Sequence, residues 1–543
     1  MRLTCSLVAC ALLLGLGLDA QSRAPENDSI TKADLIADLY FLASDDMQGR
    51  LVGTPGNRLA AEFIKSRFQR AGLLPAAGDS YFQHFNLSTA SLGEANALTV
   101  TAGTGAVLER RPGQDYYPLR FSPSGRTSGG VVFAGFGIAS PERQHDDYDD
   151  SVDGKIVLVL AHEPGERDPE SPFDGAVTSE ASRDLRKALD AQARGAAGIL
   201  FVSDVHNHHG PANFEAEAAG YWPGRPPRIE RYLLADWVER VHIPAANISP
   251  ALAERLVAGT RQSLDALARA SERPGGSTPI ALPGVEVELR VEVDRHILPE
   301  RNVVAMVEGS DAALEDEWVI ISAHYDHEGA DDGRIFNGAD DNGSGSVGLI
   351  EIAEAYARAA AAGQRPRRSV LFADWNAEER GLLGAWAYTE SPLVPLDQTV
   401  AVLNMDMIGR NEEVRVGGGR RFTGLDLQTA EENATSVHVM GYSFSQDLAA
   451  AIRDANAEHG LRLEMDYDNN PSNLVRRSDQ WPFLHHGVPA VFFHTGLHPD
   501  YHTPDDRPEK LNYDKMETIA RLVHEVSWRL ANQDGRPALT ARD

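Results

Sequence analysis

A chain of 543 residues is longer than one ordinary domain, so two domains with separate cores are expected. Hydrophobic residues at 42% and charged residues at 24% describe a globular protein rather than a disordered or fibrous one. With 80 acidic residues against 51 basic ones the net charge is -29, which repels nucleic acid and anionic membrane surfaces, and no nucleic-acid partner is expected.

The first twenty residues read as an export signal: Arg2 supplies positive charge, and the apolar run Leu7 to Leu18 is too short to span a membrane. A signal peptide over residues 1–20 and a secreted or periplasmic protein follow as expectations. A rival reading takes Leu7-Val8-Ala9-Cys10 as a lipoprotein box with a lipid anchor on Cys10, although most of the apolar run lies after that cysteine. Both cysteines, Cys5 and Cys10, fall inside the signal. The mature chain is then expected to have no disulfide and no thiol ligand, and any metal must be held by His, Asp and Glu. No second apolar run of about 18 residues occurs, so no transmembrane anchor is expected.

Downstream, Leu35, Ile36, Leu39 and Leu42 have helical spacing within Ile30 to Leu42, and Leu59, Phe63, Ile64 and Phe68 form the stripe of a second helix from Asn57 to Gly72. From about Leu98 to Val291 the pattern changes to short β-rich runs. Gly130 to Phe136, Lys155 to Leu160 and Ile199 to Val202 predict buried strands, and Arg183 to Gly195 predicts a helix leading into the last of them. The Pro/Gly/Ser-rich segment Arg273 to Pro283 marks a boundary near the end of this stretch.

From Asn302 strands and helices alternate, which predicts an α/β layered domain with a mixed, mainly parallel sheet flanked by helices. The strands are Trp318 to Ala323, Ser369 to Trp375, Thr399 to Met405 and Ala490 to Phe493, with helices at Ser346 to Ala362 and Arg380 to Tyr388. Each strand is followed by a candidate metal ligand: His324, then Glu378-Glu379, then Asp406, then His502. Ligands gather at the carboxyl ends of such strands, so these residues are expected to converge on one crevice. The acidic turn Gly338-Ala339-Asp340-Asp341-Asn342-Gly343-Ser344-Gly345 can bring a further carboxylate over it. Imidazole and carboxylate together suit zinc, and two zincs about 3.5–4 Å apart need a bridging carboxylate. One of Glu378 and Glu379 should bind metal while the other moves protons, and Asp326 is placed to orient His324.

The motifs His324-Tyr325-Asp326-His327, Gly338 to Gly345, Asn376-Ala377-Glu378-Glu379 with Gly381-Leu382-Leu383-Gly384, Asn404-Met405-Asp406-Met407 and Tyr501-His502-Thr503-Pro504 resemble the ordered motifs of metallopeptidase family 28. That family includes two-zinc aminopeptidases, glutamate carboxypeptidase and glutaminyl cyclase. The resemblance implies two zincs per chain, with Asp341 as bridge, His324 and Asp406 on one, Glu379 and His502 on the other. It implies Glu378 as catalytic base, Tyr501 as donor to the tetrahedral intermediate, and a cis peptide at Asp341-Asn342. It extends to Leu42 to Arg50, to Gly53-Thr54-Pro55-Gly56 and to Asn302 to Ala305, so the peptidase domain is split. The intervening part resembles a protease-associated domain through Tyr148-Asp149, Val152 to Val159, Gly195 to Leu200 and Ile243 to Ile248. The implied division is 29–95 and 293–533 for the peptidase domain and 96–292 for the insert.

Several features are given plainer readings. Asp340 can cap the following helix, Asp479 is a candidate support for the site, His206, His208 and His209 read as a solvated loop, and His145 to Asp150 as an acidic surface turn. No G-x-S-x-G or H-E-x-x-H motif occurs. The expected function is hydrolysis of peptide or protein substrates by a zinc exopeptidase, an aminopeptidase first. A carboxypeptidase or dipeptidase on the same site is the main alternative, followed by a glutaminyl-cyclase-like acyltransferase and an inactive receptor-like binding protein. Nothing in the chain specifies an oligomeric state.

Overall fold

The computed structural model describes residues 23–102, 106–208 and 213–540. The expected signal, Cys10 and His209 lie outside the described residues. Two large sheets organise the chain. The larger has ten strands, ordered Leu233–Leu234, Phe82–Leu92, Val293–Val307, Ser369–Trp375, Trp318–His324, Thr399–Met405, Ala490–His494, Ser436–Met440 and Arg462–Glu464, with Leu74–Pro75 pairing alongside Val293–Val307. Its centre, from Ser369–Trp375 through Trp318–His324 and Thr399–Met405 to Ala490–His494, is parallel, and both flanks turn antiparallel.

Alternation along the strands decides which layer each side chain joins. Val303, Ala305, Val319 and Ile321 face helices Lys32–Leu42, Pro55–Ala71, Gly345–Ala361 and Tyr513–Asn532. Val304, Ile320, Leu371 and Val402 face helices Leu383–Glu390 and Gln480–His485 on the other side. Helix Pro55–Ala71 begins two residues before the apolar stripe suggests, because Thr54 caps it by accepting the Asn57 N–H at 3.3 Å and Pro55 fits the first turn, where its missing N–H costs nothing.

After Leu92 the chain leaves this sheet and returns at Val293. In between, eight strands form a second sheet with its own cores on both faces, and Gly125–Phe133, Ile156–Leu160, Gly198–Val202 and Ala245–Ile248 run parallel at its middle. The exception is Leu233–Leu234, which crosses back to pair with Phe82–Leu92 at the edge of the larger sheet. The turn from His145 to Asp150 is not a surface feature throughout. His145 and Asp147 are buried, and Asp147 accepts the N–H groups of Ile138 at 3.1 Å and Ser277 at 2.7 Å, a structural anchor that local acidity alone does not reveal. Among the described residues no helix is long and apolar enough to cross a membrane.

Candidate metal centre

The carboxyl ends of the central parallel strands meet, as their sequence order predicts. His324 is the last residue of its strand, Asp406 follows Met405 directly, Glu378 and Glu379 lie in the short turn after Trp375, and His502 lies in the loop after His494. Asp341 comes from the turn before helix Gly345–Ala361, and its peptide bond to Asn342 is cis.

Asp341 stands between two groups of donors. Its Oδ1 is 3.5 Å from His324 Nε2, which is also 3.5 Å from Asp406 Oδ1. Its Oδ2 is 2.9 Å from His502 Nε2, which is 3.3 Å from Glu379 Oε2. A third imidazole, His327, stands with the second group, its Nδ1 2.7 Å from Glu379 Oε1 and 3.9 Å from Asp341 Oδ2. Sequence reasoning quoted His327 in its motif and assigned it no role. Glu378 Oε2 lies 3.6 Å from His324 Nε2, nearly as near as Asp341 and Asp406, but it falls outside the mutually close set that those three residues form.

The donor set fits divalent zinc ions. His324 Nε2, Asp406 Oδ1 and His327 Nε2 are buried with no hydrogen-bond partner among the described residues, while His327 Nδ1 and Glu379 Oε1 have only each other at 2.7 Å. Buried polar atoms are normally satisfied, so a shared cluster of orphans points to cations. Charge agrees. Burial disfavours the His324 imidazolium, yet the carboxylates of Glu378 and Asp406 overcome this and hold its pKa well above the ordinary value. Burial raises the Asp341 carboxyl to about 6, with the Glu379 charge adding to the shift. Burial also pushes Glu378 far up, helped by Asp406 and Glu379 and opposed by His324. Glu379 goes the other way: burial opposes its charge, yet His502 and His327 hold it well below the ordinary value.

Around the donors runs a frame of hydrogen bonds. The Asp326 carboxylate accepts the N–H groups of Glu378 at 2.9 Å and Glu379 at 3.3 Å, which fixes the two-glutamate turn. His324 Nδ1 lies 3.3 Å from the backbone carbonyl of Asp326 and 3.7 Å from its carboxylate, so the carbonyl is the nearer orienting group. Asp506 accepts the N–H groups of Asp340 and Asp341 at 3.0 Å each. Asp340 does not cap the helix: its Oδ1 accepts the Gly409 N–H at 2.7 Å, and its Oδ2 stands 3.3 Å from His498 Nε2. Ser478 donates to Asp406 Oδ2 at 2.6 Å, whereas neither oxygen of the buried neighbour Asp479 has a hydrogen-bond partner among the described residues. Gly338 is required here, since a Cβ would sit 2.2 Å from the Asp341 carbonyl oxygen and 2.5 Å from the His327 ring.

The amino-terminal segment supplies a clasp. Arg50, fully buried, donates to the carbonyls of Tyr325 at 2.8 Å, Leu42 at 3.0 Å, Asn337 at 2.6 Å and Gly338 at 2.8 Å. One guanidinium therefore spans the His324 turn and the Asp341 turn. Three ligand-bearing turns also hold a non-glycine residue in the left-handed region: Ala377 at φ 60°, Met407 at 57° and His502 at 54°. Such backbone persists only where surroundings over-determine it.

Asp341, Glu378, Asp406, Tyr501 and His502 line one small cavity. The Tyr501 ring lies on His502 with centroids 3.9 Å apart, and burial together with the Asp341 and Glu379 charges keeps its phenol protonated, hence a donor. A larger cleft of about 990 Å³ lies beside Glu379 and Arg380, with Trp386 on one wall and Arg120, Tyr221 and Arg231 of the other sheet's layer opposite. Glu328, also unassigned from the sequence, stands 3.4 Å from His502 Nδ1.

Residues 302–527 match the model described as Peptidase family M28. The probable glutamate carboxypeptidase AMP1 of Arabidopsis thaliana is 26% identical over 483 residues, which is 84% of this chain and 61% of that protein. The aminopeptidase NAALADL1 of Rattus norvegicus is 34% identical over 278 residues, 48% of this chain and 35% of that protein. The chain thus spans about three-fifths or less of the length of these curated relatives. Among solved structures, an aminopeptidase from Aneurinibacillus sp. strain AM-1 is similar at TM-score 0.47 and 17% identity, covering 95% of this chain and 98% of its own.

Proposed function

We propose, for a chain whose residues 302–527 belong to peptidase family M28, that it is a zinc exopeptidase holding two ions about the Asp341 carboxylate and releasing amino-terminal residues from peptides. The observation that carries this reading is the position of Asp341, one oxygen facing His324 and Asp406 and the other facing His502 and Glu379. His324 and Asp406 would hold one ion and Glu379 and His502 the other. When bound, the pair would supply Lewis acidity to the scissile carbonyl and lower the pKa of attacking water.

The chain's own groups supply the rest. Glu378, beside the donors rather than within either pair, takes a proton from the attacking water at its carboxylate and returns it to the leaving amine. Burial holds its pKa well above the usual carboxylate value, against the pull of His324, which strengthens it as a proton acceptor. Tyr501 donates its phenolic hydrogen to the carbonyl oxygen as negative charge grows there. Asp326 keeps Glu378 and Glu379 aimed through their backbone N–H groups. The export expectation fits this activity, a peptidase acting outside the cytoplasm.

A carboxypeptidase on the same donors is the second reading, favoured by the carboxypeptidase name of the relative aligned over 84% of this chain. Purified zinc-loaded enzyme, given free-amine aminoacyl anilides and amine-blocked dipeptides side by side, should cleave the first only. Cleavage of the blocked dipeptides alone would transfer the assignment to the second reading, and no cleavage of either would reject both.

A further inference from the structure

We propose that His162, Glu166 and His208 form a separate zinc-type metal site on the smaller sheet. Strands Ile156–Leu160 and Gly198–Val202 are adjacent and parallel, with Val202 opposite Leu160. His162 lies just past the carboxyl end of the first and His208 in the turn after the second, the edge at which ligands of parallel sheets collect.

The site is built rather than incidental. The Ala161 N–H donates to the Val202 carbonyl at 2.7 Å, tying the two strand ends. Lys187, fully buried, donates to the Leu160 carbonyl at 2.8 Å and also to the His162 carbonyl, which pins the turn from beneath. His162 itself adopts φ 67°, in the left-handed region that few non-glycine residues occupy. Glu166 then turns one oxygen to each ring: Oε2 is 3.3 Å from His162 Nδ1, and Oε1 touches His208 Nε2. The rings stack with centroids 3.9 Å apart and 16° between planes. All three donor atoms lie within 4.8 Å of one another.

Donors on one tetrahedral zinc stand roughly 3.4 Å apart, given bonds of about 2.0–2.2 Å, so the spacing suits one ion once the stacked rings tilt to bring their in-plane lone pairs together. Two imidazoles and a carboxylate leave a fourth position for water. Arg167 is a competing cation, its Nε 3.7 Å from Glu166 Oε1 and its Nη2 donating to the Asn207 carbonyl at 2.6 Å, but its side chain is 70% exposed and water can replace both contacts. The site shares no residue with the Asp341 centre. A bound ion would fasten the loop after Val202 to the turn after Leu160.

The test is zinc content, measured by mass spectrometry after dialysis against buffered micromolar zinc, in the full chain and in Glu166→Gln and His208→Gln. Each variant should hold one zinc fewer than the parent. A His324→Ala background, in which the other centre is damaged, should show the same difference, so failure of the catalytic reading would not mask this one. Cobalt titration of the His324→Ala chain should likewise give a binding step that either variant abolishes. Unchanged zinc content and an unchanged cobalt step in both variants, each with parental circular dichroism, would overturn the site.

Discussion

Arg228 holds Glu328 from across the molecule, donating to its backbone carbonyl at 2.6 Å while Nη2 stands 3.3 Å from its carboxylate. The Glu328 carboxylate in turn faces His502 Nδ1 at 3.4 Å. A residue from the 92–293 excursion thereby braces a donor of the candidate metal centre. An outer carboxylate on a ligating histidine fixes its tautomer and orientation, and losing one typically costs about 10–100-fold in metal affinity or activity. Glu328→Gln should therefore release zinc to a chelator about 10–100-fold more readily. Arg228→Ala should act in the same direction but less, because the guanidinium is partly exposed. A competition curve unchanged in Glu328→Gln would remove this carboxylate from the metal centre.

Glu378→Gln separates chemistry from metal binding. The amide keeps shape and backbone contacts, so the turn fixed by Asp326 should survive, while the proton-accepting oxygen is gone. Turnover should fall by about 10²–10⁴-fold, the usual worth of a general base, with zinc content unchanged. Asp341→Asn is the contrast: it weakens the one carboxylate common to both donor groups, and on the proposed two-ion reading zinc content should fall by two. Loss of zinc from Glu378→Gln would instead make Glu378 a ligand.

Much of this is legible in the amino-acid sequence. The strands Ser369–Trp375 and Thr399–Met405 have the predicted limits because buried parallel strands are uninterrupted apolar runs, and each run ends where a carboxylate follows. The donors His324, Asp341, Glu379, Asp406 and His502 are brought together because strand order converts ends of separate runs into one edge. What stayed hidden depends on contacts distant in sequence. Arg50 reads as the end of a motif until its four carbonyl partners appear, and Ser478, not Asp479, is the hydrogen-bond partner of Asp406. In the sequence His208 reads as solvated because Glu166 is 42 residues away, and only the pairing of two parallel strands joins them.

Arg50→Lys tests the clasp. A lysine keeps the charge but presents a single ammonium, shorter than the guanidinium fork and unable to reach the carbonyls of Tyr325, Leu42, Asn337 and Gly338 together. Leaving buried carbonyls unpaired costs about 1–3 kcal/mol each. The variant should unfold at a clearly lower temperature and bind zinc more weakly, since both the His324 and Asp341 turns loosen. Calorimetry with and without zinc measures both effects, and a parental profile would show the clasp to be dispensable.

The helix Gly345–Ala361 offers a pH prediction independent of the metal donors. Glu351, its side chain 1% exposed, has its pKa raised to about 8 by burial first and then by Glu354, Asp34 and Asp38, with Arg67 opposing. In the unfolded chain the same group titrates near the ordinary value of about 4.3. The folded state therefore holds this proton more tightly, so the stabilising contribution is complete below the unfolded pKa and is lost as pH rises through about 8. Glu351→Gln keeps a neutral side chain at every pH and should flatten that part of the profile. Melting temperatures measured from pH 5 to 9 should fall more steeply for the parent than for the variant, with the gap widest at the alkaline end. Parallel curves would mean that Glu351 ionises in the folded protein as it does in the unfolded chain, its charge fully met by Arg67.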